Sequence, residues 1–307
     1  VAHEISVKGR MRQVPAWRVD DVVVIAHSGM LEIFDAYWVE ADRLPDLPSF
    51  IDRLKAIPAG DVFTFTERVP QTTPRYDFHC EWDNVAVVPV STHEHWLQKQ
   101  VSAATRRNVR TAEKKGVVVR SCAFDEAYVR GIMAISDESP IRAGRKYWHY
   151  GKDFAAVEAE QGTYRERSSF LAAYVGAEMV GYLKLVWDRE TAAIMQIVSK
   201  MAARDHRPNN ALLSEAVRLC AERGVQHLLY ERFVYGKKED SSLTRFKREN
   251  GFVRVDVPCY YVPLTAKGRV VLSLGLHRPL KDRLPNSITS RLIRLRDFWL
   301  AHRAART

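Results

Sequence analysis

The sequence predicts a mixed α/β fold, and three observations carry that reading. Short runs rich in β-branched and aromatic residues, at 21–26 (DVVVIA), 61–66 (DVFTFT) and 84–90 (NVAVVPV), alternate with longer stretches whose apolar residues recur every three or four positions. Three further strand-like runs, at 169–174, 179–187 and 192–199, follow one another with no helix between them. A helical pattern then opens on Pro208 and stops at Gly224. Those residue types suit those ends: proline lacks the N–H that a first turn leaves unpaired, and glycine takes the left-handed conformation that closes a helix. With 307 residues, 46% hydrophobic and 27% charged, the chain is long enough for one large core or two ordinary ones.

In chain order, a helix is expected over 48–57, between the first two strands. A second helix is expected over 92–115, where Trp96, Leu97, Val101, Ala104, Val109 and Ala112 fall near helical spacing and Arg106, Arg107, Arg110, Lys114 and Lys115 take the exposed side. Gly116 stops it and Val117, Val118 and Val119 begin a strand. The second half opens with a helix over 125–136, on which Tyr128, Ile132 and Ile135 share a face, followed by a polar, aromatic-rich loop at 138–152. Gly176 and Ala177 join the first two strands of the meander as a hairpin. After the helix at 208–224 come a strand at 226–230, a short helix at 243–250 and a last strand at 252–261.

The formal charge of +10 is a property of one end. Residues 266–307 hold ten Lys or Arg against Asp282 and Asp297, so the rest of the chain is nearly neutral, which argues against a nucleic-acid groove spread over the whole body. No apolar run approaches the ~20 residues that span a bilayer. The first residues lack the basic-then-apolar layout of a secretory signal, so a cytoplasmic location is expected. Cys80, Cys122, Cys220 and Cys259 stand in no metal-like or redox-like spacing and are expected to be reduced packing thiols. His93 and His95 have no third ligand in view, so no metal is expected.

Three segments resemble one family. RRNVRTAEKKGV, from Arg106 to Val117, resembles the RRNIRKAEKKGV-like helix that ends the first half of the Fem-type transferases, which add amino acids to peptidoglycan precursors. Pro208-Asn209-Asn210-Ala211-Leu212-Leu213 resembles the PNYLL-like helix start of that family, and Leu243-Thr244-Arg245-Phe246-Lys247-Arg248-Glu249-Asn250-Gly251-Phe252 resembles its FKxxFG segment. The order of the second half, a meander leading into a Pro-started helix and an αβ end, resembles a GNAT domain, and kinship with GNAT-like proteins of bacterial polysaccharide loci is also suggested. The resemblance implies a GNAT fold in two tandem halves, expected at 1–120 and 121–265, followed by a basic tail at 266–307. It implies transfer of an acyl or aminoacyl group to an amine of a sugar, peptide or cell-envelope precursor, from acyl-CoA or aminoacyl-tRNA.

A GNAT enzyme that uses coenzyme A places a Q/R-x-x-G-x-G/A turn at the start of the helix after the meander, because bare amides there receive the pyrophosphate. The corresponding stretch here runs from His206 to Ala211; both glycines are gone and Pro208 removes a donor. The helix dipole with Arg204, Arg207, Asn209, Asn210 and Ala211, and Phe246 nearby, would then hold the donor. Fem-type enzymes also lack the glycine turn and take their group from aminoacyl-tRNA, so the departure from one branch fits the other.

Acyl transfer to an amine needs a route for the ammonium proton, a clamp on the developing oxyanion and a positioned donor. In the loop at 138–152, Arg142, Arg145, Tyr147, Tyr150 and Lys152 could hold a phosphate or carboxylate, or the loop could be a solvated cover over an interface. His149 and Glu138 are its two possible general bases; equally, a lone histidine packs and a carboxylate before Ser-Pro caps a turn. Gln196 is expected to share a strand face with Ile194 and Val198, and with Ser199 near it could hydrogen-bond the acceptor. The family resemblance implies that Lys247 lies near the donor or the oxyanion and that Tyr230 protonates the leaving group. The plain alternatives are an exposed helix lysine and a core tyrosine.

The segment that begins at Asn286 and ends at Arg306 alternates apolar residues with arginines, as a basic amphipathic helix does. It could lie on an anionic membrane, making the protein peripheral on the inner membrane, touch nucleic acid such as tRNA, or pack on the body. A non-catalytic GNAT-like module that binds an anionic partner and docks through this tail is the alternative to an enzyme.

Overall fold

The computed structural model describes residues 2–278 apart from 8–9, 21, 28, 34–45, 59, 143 and 237–240. The segment from Asn286 to Arg306 therefore lies outside the described residues, as does the side chain of Arg145. Among the described residues no helix is long and apolar enough to cross a membrane.

Twelve strands form one mixed sheet. The first part of the chain contributes β1 (Ala2–Val7), β2 (Arg10–Val19), β3 (Val22–His27), β4 (Met30–Ile33), α1 (Leu47–Lys55), β5 (Val62–Thr66) and β6 (His79–Pro89). The three-residue α2 (His93–His95), α3 (Ala103–Lys114) and β7 (Val117–Cys122) follow. The remainder runs through α4 (Glu126–Ser136), a small hairpin of β8 (Ile141–Arg142) and β9 (Arg145–Lys146), α5 (Phe154–Gln161), the meander β10 (Ser168–Val175), β11 (Glu178–Asp188) and β12 (Thr191–Ser199), then α6 (Pro208–Glu222), β13 (His227–Leu229), α7 (Ser242–Glu249), β14 (Val253–Pro263) and α8 (Ala266–Ser273). The sheet order is β1-β2-β3-β4-β5-β14-β6-β13-β12-β11-β10-β7.

The sheet runs across the expected division at 120. The last long strand, β14, lies between β5 and β6, so the C-terminal part of the chain completes the sheet of the N-terminal part. A cut at 120 would also pass through β7, which pairs with β10 along Val117–Cys122. The two halves meet where β6 pairs with β13 over three residues, and β13 pairs with β12 in parallel over Thr191, Ala192 and Ala193.

Two expected elements are changed by tertiary contacts. The helix expected over 92–115 is broken: a π-helical turn at Trp96–Gln100 ends at Val101, which is extended, and Ser102 restarts the helix by accepting from Thr105 N at 3.1 Å. Serine at that position competes with helical bonding and suits an N-cap. The break is fixed from outside, because Ser102 N and Thr105 Oγ1 both donate to Glu249 O, and Trp96 Nε1 donates to Asn250 O. The second change is in β12. A register shift opposite Lys184 and Leu185 leaves Met195 as an extra residue, and a bulge of one residue reverses which face the following side chains take. Ile194 packs in the core under α6, whereas Gln196 turns to the face covered by α5; the two do not share a face.

Cores sit on both sides of this sheet. Leu212, Leu213, Ala216, Val217 and Cys220 of α6 bury against β11, β12 and β13, and burial pushes the Cys220 thiol up to about 12, as an inert packing thiol requires. On the other face α4 and α5 pack Tyr128, Ile132, Ile135 and Val157 on Phe170 and Tyr182. Between the loop and the meander, Asp153 caps α5 by accepting from Ala156 N at 2.8 Å. Its Ala- and Glu-rich stretch has no clear apolar stripe to fix its bounds in the sequence. In the N-terminal half α1 closes a core around Phe50, Phe63 and Tyr260.

Candidate active site

A cavity of about 1070 Å³ opens between the halves, where β12 and β13 stop pairing. Ala193, Met195 and Leu229 form its wall on one side and Phe65, Val69 and Val85 on the other. Its charged rim is made of ion pairs: Arg68 to Asp188 at 2.7 Å, Arg75 to Glu67 at 2.8 Å and Arg232 to Asp83 at 2.8 Å. Arg68 and Asp188 come from opposite halves and tie them together. Two non-glycine residues of the lining, Arg189 and Glu231, have left-handed backbones with φ of 45° and 47°. Such conformations are held only where surrounding contacts fix them. At Glu231 two bonds do so: its carbonyl accepts from Ala86 N, and its carboxylate accepts from the Tyr235 hydroxyl.

Lys247 lies behind this wall. Ser241 caps α7 by accepting from Thr244 N, and the helix turns Thr244 and Lys247 inward. Lys247 is fully buried; its Nζ donates to Arg232 O at 2.6 Å and lies 4.5 Å from the Tyr230 ring and 5.1 Å from the Tyr235 ring. Arg232 and Tyr235 both line the cavity, so the ammonium is one residue layer from it. Burial lowers the Lys247 pKa to about 8, against a weaker opposing pull from Glu231. Lys247 is thus not the exposed helix lysine of the plain alternative. Burial also raises the Tyr230 pKa, which keeps that phenol protonated near Lys247. The loop carrying Arg232 and Tyr235 is pinned to β6 by Asn84, which accepts from Val234 N at 2.7 Å and donates to Val234 O.

The loop at 138–152 is built differently from the expected anion grip. Glu138 accepts from Met201 N at 2.5 Å and Ala202 N at 2.7 Å, clamping the turn after β12. Arg142 donates to Ser199 O, Ile135 O and Glu138, and stacks on Tyr147. These corrections share one physical reason: the charges are consumed by backbone groups, so Glu138 is no free base, Arg142 no free anion ligand, and Ser199 takes part through its carbonyl. Glu138→Gln is therefore expected to cost about 1–3 kcal/mol of stability while leaving the turnover of the folded fraction unchanged, as urea unfolding beside transfer kinetics would show.

His149 is 6% exposed and both ring nitrogens are engaged, Nδ1 with Glu160 at 3.4 Å and Nε2 with the Gln196 side-chain amide at 2.9 Å. Gln196 in turn accepts from Gln161. Burial would raise the Glu160 pKa, but hydrogen bonds from His149 and Lys152 outweigh it and hold the carboxyl below its ordinary value. This closed network under α5 fixes the bulged stretch of β12 beside the cavity; it does not present His149 as an open base. Tyr150 is exposed, and Lys152 pairs with Glu160 at 2.6 Å. At the start of α6, Arg207 is left-handed and no side chain caps the helix; Asn210 N and Ala211 N both donate to Arg207 O. Asn210 is buried and its side chain donates to Asn250 Oδ1 at 3.2 Å, which removes it from the expected donor-binding set. Arg204 is exposed, Asn209 half-buried, and Phe246 packs against the core.

Among described residues, those the sequence reading misses are the cavity's own: Arg68, Arg75, Asp83, Asp188, Ala193 and Arg232. They come from distant segments and form no motif. Lys184 is also missed, although a lysine inside the apolar run of β11 is a legible signal; it is buried and donates to Thr163 O and Oγ1.

Residues 99–247 match the family model described as an acetyltransferase (GNAT) domain. The matched segment has the GNAT fold. Among solved structures the whole chain is similar to FemX, with a TM-score of 0.58 at 11% identity, covering 89% of this chain and 90% of that one. It is similar to L-PGS from Bacillus licheniformis, with a TM-score of 0.56 at 13% identity over 85% and 88% of the two chains. It is also similar to the C-terminal DUF2156 domain of a candidate lysylphosphatidylglycerol synthetase from Agrobacterium fabrum, with a TM-score of 0.55 at 10% identity over 84% and 86%. A search of curated proteins finds no match. The GNAT domain spans α3 to α7, with the meander, the α6 crossover and Lys247 inside it. The fold outside it continues the same sheet, in the arrangement shared with FemX.

Proposed function

We propose that this chain transfers an aminoacyl or other acyl group to a primary amine, with the acceptor in the cavity between the halves and Lys247 at the reaction centre. The observation that carries this reading is a fully buried lysine, one layer behind the wall of the cavity between the halves, whose pKa is drawn down to about 8. A charge kept in so costly a place is a functional-site signal. The amine lone pair attacks the donor carbonyl carbon; a C–N bond forms, the C–O or C–S bond of the ester or thioester breaks, the amine gives up a proton and the leaving group takes one. In this scheme the Lys247 ammonium stabilises the developing oxyanion once Tyr235 yields to substrate, and the protonated Tyr230 supplies the leaving group's proton. The alkaline limb of the rate profile then falls near pH 8, where Lys247 loses its charge.

Two features favour aminoacyl-tRNA as donor. The opening turn of α6 offers little to a pyrophosphate, since Pro208 has no N–H and the amides of Asn210 and Ala211 are turned back to Arg207. Beside it, α3 packs on α6 and exposes Arg107, Arg110, Lys114 and Lys115, a cationic strip suited to phosphates of a nucleic-acid backbone. The fold shared with FemX and with a lysylphosphatidylglycerol synthetase, named for an aminoacylated lipid, supports an aminoacyl group and an acceptor that is an envelope peptide, glycan or lipid precursor. Thermal unfolding with aminoacyl-tRNA, free coenzyme A and a panel of acyl-CoAs tests the donor, because a ligand of the native state raises the midpoint. A rise with aminoacyl-tRNA alone is expected. A rise with coenzyme A alone would assign a thioester donor, and no rise with any of them would favour the non-catalytic module.

A further inference from the structure

We propose that His79, Glu81 and His277 form a binding site for a divalent metal ion of the zinc type, which clips the connector after α8 onto the N-terminal half. His79 and Glu81 are two residues apart on β6, so the alternation of the strand puts both on one face. His277 arrives from the turn that follows α8, 196 residues after Glu81, which is why spacing alone does not reveal the group. Glu81 Oε1 is 2.7 Å from His277 Nε2 and 3.3 Å from His79 Nε2, and one ligand atom from each residue lies within 4.8 Å of the others. Ligands about 2.0–2.2 Å from a zinc ion are separated by distances of this order, so small side-chain rotations suffice to admit one.

The surroundings suit such an ion. The His277 side chain is 1% exposed, its ring packs 4.6 Å from Tyr261, and its Nδ1 has no hydrogen-bond partner among the described residues, so the ring is oriented from its Nε2 side. The Glu81 carboxylate already gathers both imidazoles, His277 Nε2 at 2.7 Å and His79 Nε2 at 3.3 Å, on one oxygen. Two imidazoles and one carboxylate are a borderline donor set of the kind zinc prefers, and His79, on the exposed side and lining a smaller cavity with Asp77 and Phe78, leaves room for a water as fourth ligand. Arg278 Nε also reaches Glu81 Oε1 at 2.7 Å. Its side chain is 53% exposed, so the guanidinium can withdraw toward solvent as the ion takes that oxygen.

The site fastens α8, and with it the start of the basic C-terminal segment, to β6. That fastening is independent of the transfer chemistry proposed above. The test uses the full, untagged chain, stripped with a chelator and titrated with zinc chloride by calorimetry and by thermal unfolding. One zinc per chain is expected, with a raised Tm, and His79→Ala should weaken binding at least tenfold while keeping the metal-free Tm, since His79 is exposed and contributes little to the core. His277→Ala should lose binding as well; if that variant fails to fold, His79→Ala decides alone. Absence of heat and of any Tm shift in the wild type, or zinc binding of undiminished affinity in His79→Ala, overturns the proposal.

Discussion

Lys247→Met is expected to remove about 10²–10³-fold of the transfer rate, the loss typical of deleting one transition-state charge stabiliser, and at the same time to make the protein more stable at pH 7. The second half of that result follows from the sign of the pKa shift. Lys247 has its pKa lowered by burial from an ordinary 10.5 to about 8. Below pH 8 both the folded and unfolded chains carry the proton, and the folded chain bears the full penalty of a desolvated ammonium. Between pH 8 and 10.5 the unfolded chain holds the proton and the folded one does not, so stability from this group rises with pH across that window. The shift corresponds to about 3 kcal/mol of bias against the charged native form. Methionine has nearly the same shape and no charge, and its costs are the lost hydrogen bond to Arg232 O and the lost ammonium contacts with the Tyr230 and Tyr235 rings, so a net gain of about 1–2 kcal/mol is expected. Denaturant unfolding of both proteins at pH 7 and pH 10 checks this, the gap closing at the higher pH. A variant that lost activity by losing stability would contradict the assignment.

Ala193→Trp should raise the acceptor KM at least tenfold, equivalent to about 1.4 kcal/mol of binding, while shifting stability by less than about 1 kcal/mol. Ala193 lines the cavity at the last residue pair before β12 and β13 part, opposite Leu229. An indole there projects into existing space and so needs no core to move, in contrast to overpacking a filled interior. Steady-state kinetics with the acceptor varied at saturating donor, compared with Tm, separates the two effects. An unchanged KM would place the acceptor elsewhere.

Periodic and punctuated elements were legible in the sequence. The meander, α6 between Pro208 and Gly224, and the strand after it follow from alternation, proline and glycine, which act locally. What was not legible depends on contacts made across the chain. The break at Val101 and Ser102 is held by Glu249 and Asn250, nearly 150 residues later in sequence. The bulge at Met195 leaves no mark in the residue types around it, yet it moves Gln196 from the α6 face to the α5 face and changes what that residue can do. At the site, the FKxxFG likeness pointed to Lys247 but not to its burial, which comes from the loop at 231–236 folding over it. Glu138 and Arg142 have the residue types of a binding loop, and nothing local shows that backbone amides and carbonyls consume them. The cavity's ion pairs, Arg68 with Asp188 and Arg232 with Asp83, join residues 120 and 149 positions apart, a separation at which sequence patterning carries no information.

The central claim, amine acylation at the cavity between the halves, is tested most directly by following a labelled aminoacyl group from its tRNA ester, and a labelled acyl group from coenzyme A, into a base-stable amide on an amine-bearing envelope precursor in a single turnover. The account predicts label in the amide with the wild-type chain, from the tRNA ester in preference to the thioester, and its loss in Lys247→Met. Label that stays on both donors with every amine offered, or that moves equally well in Lys247→Met, would contradict it.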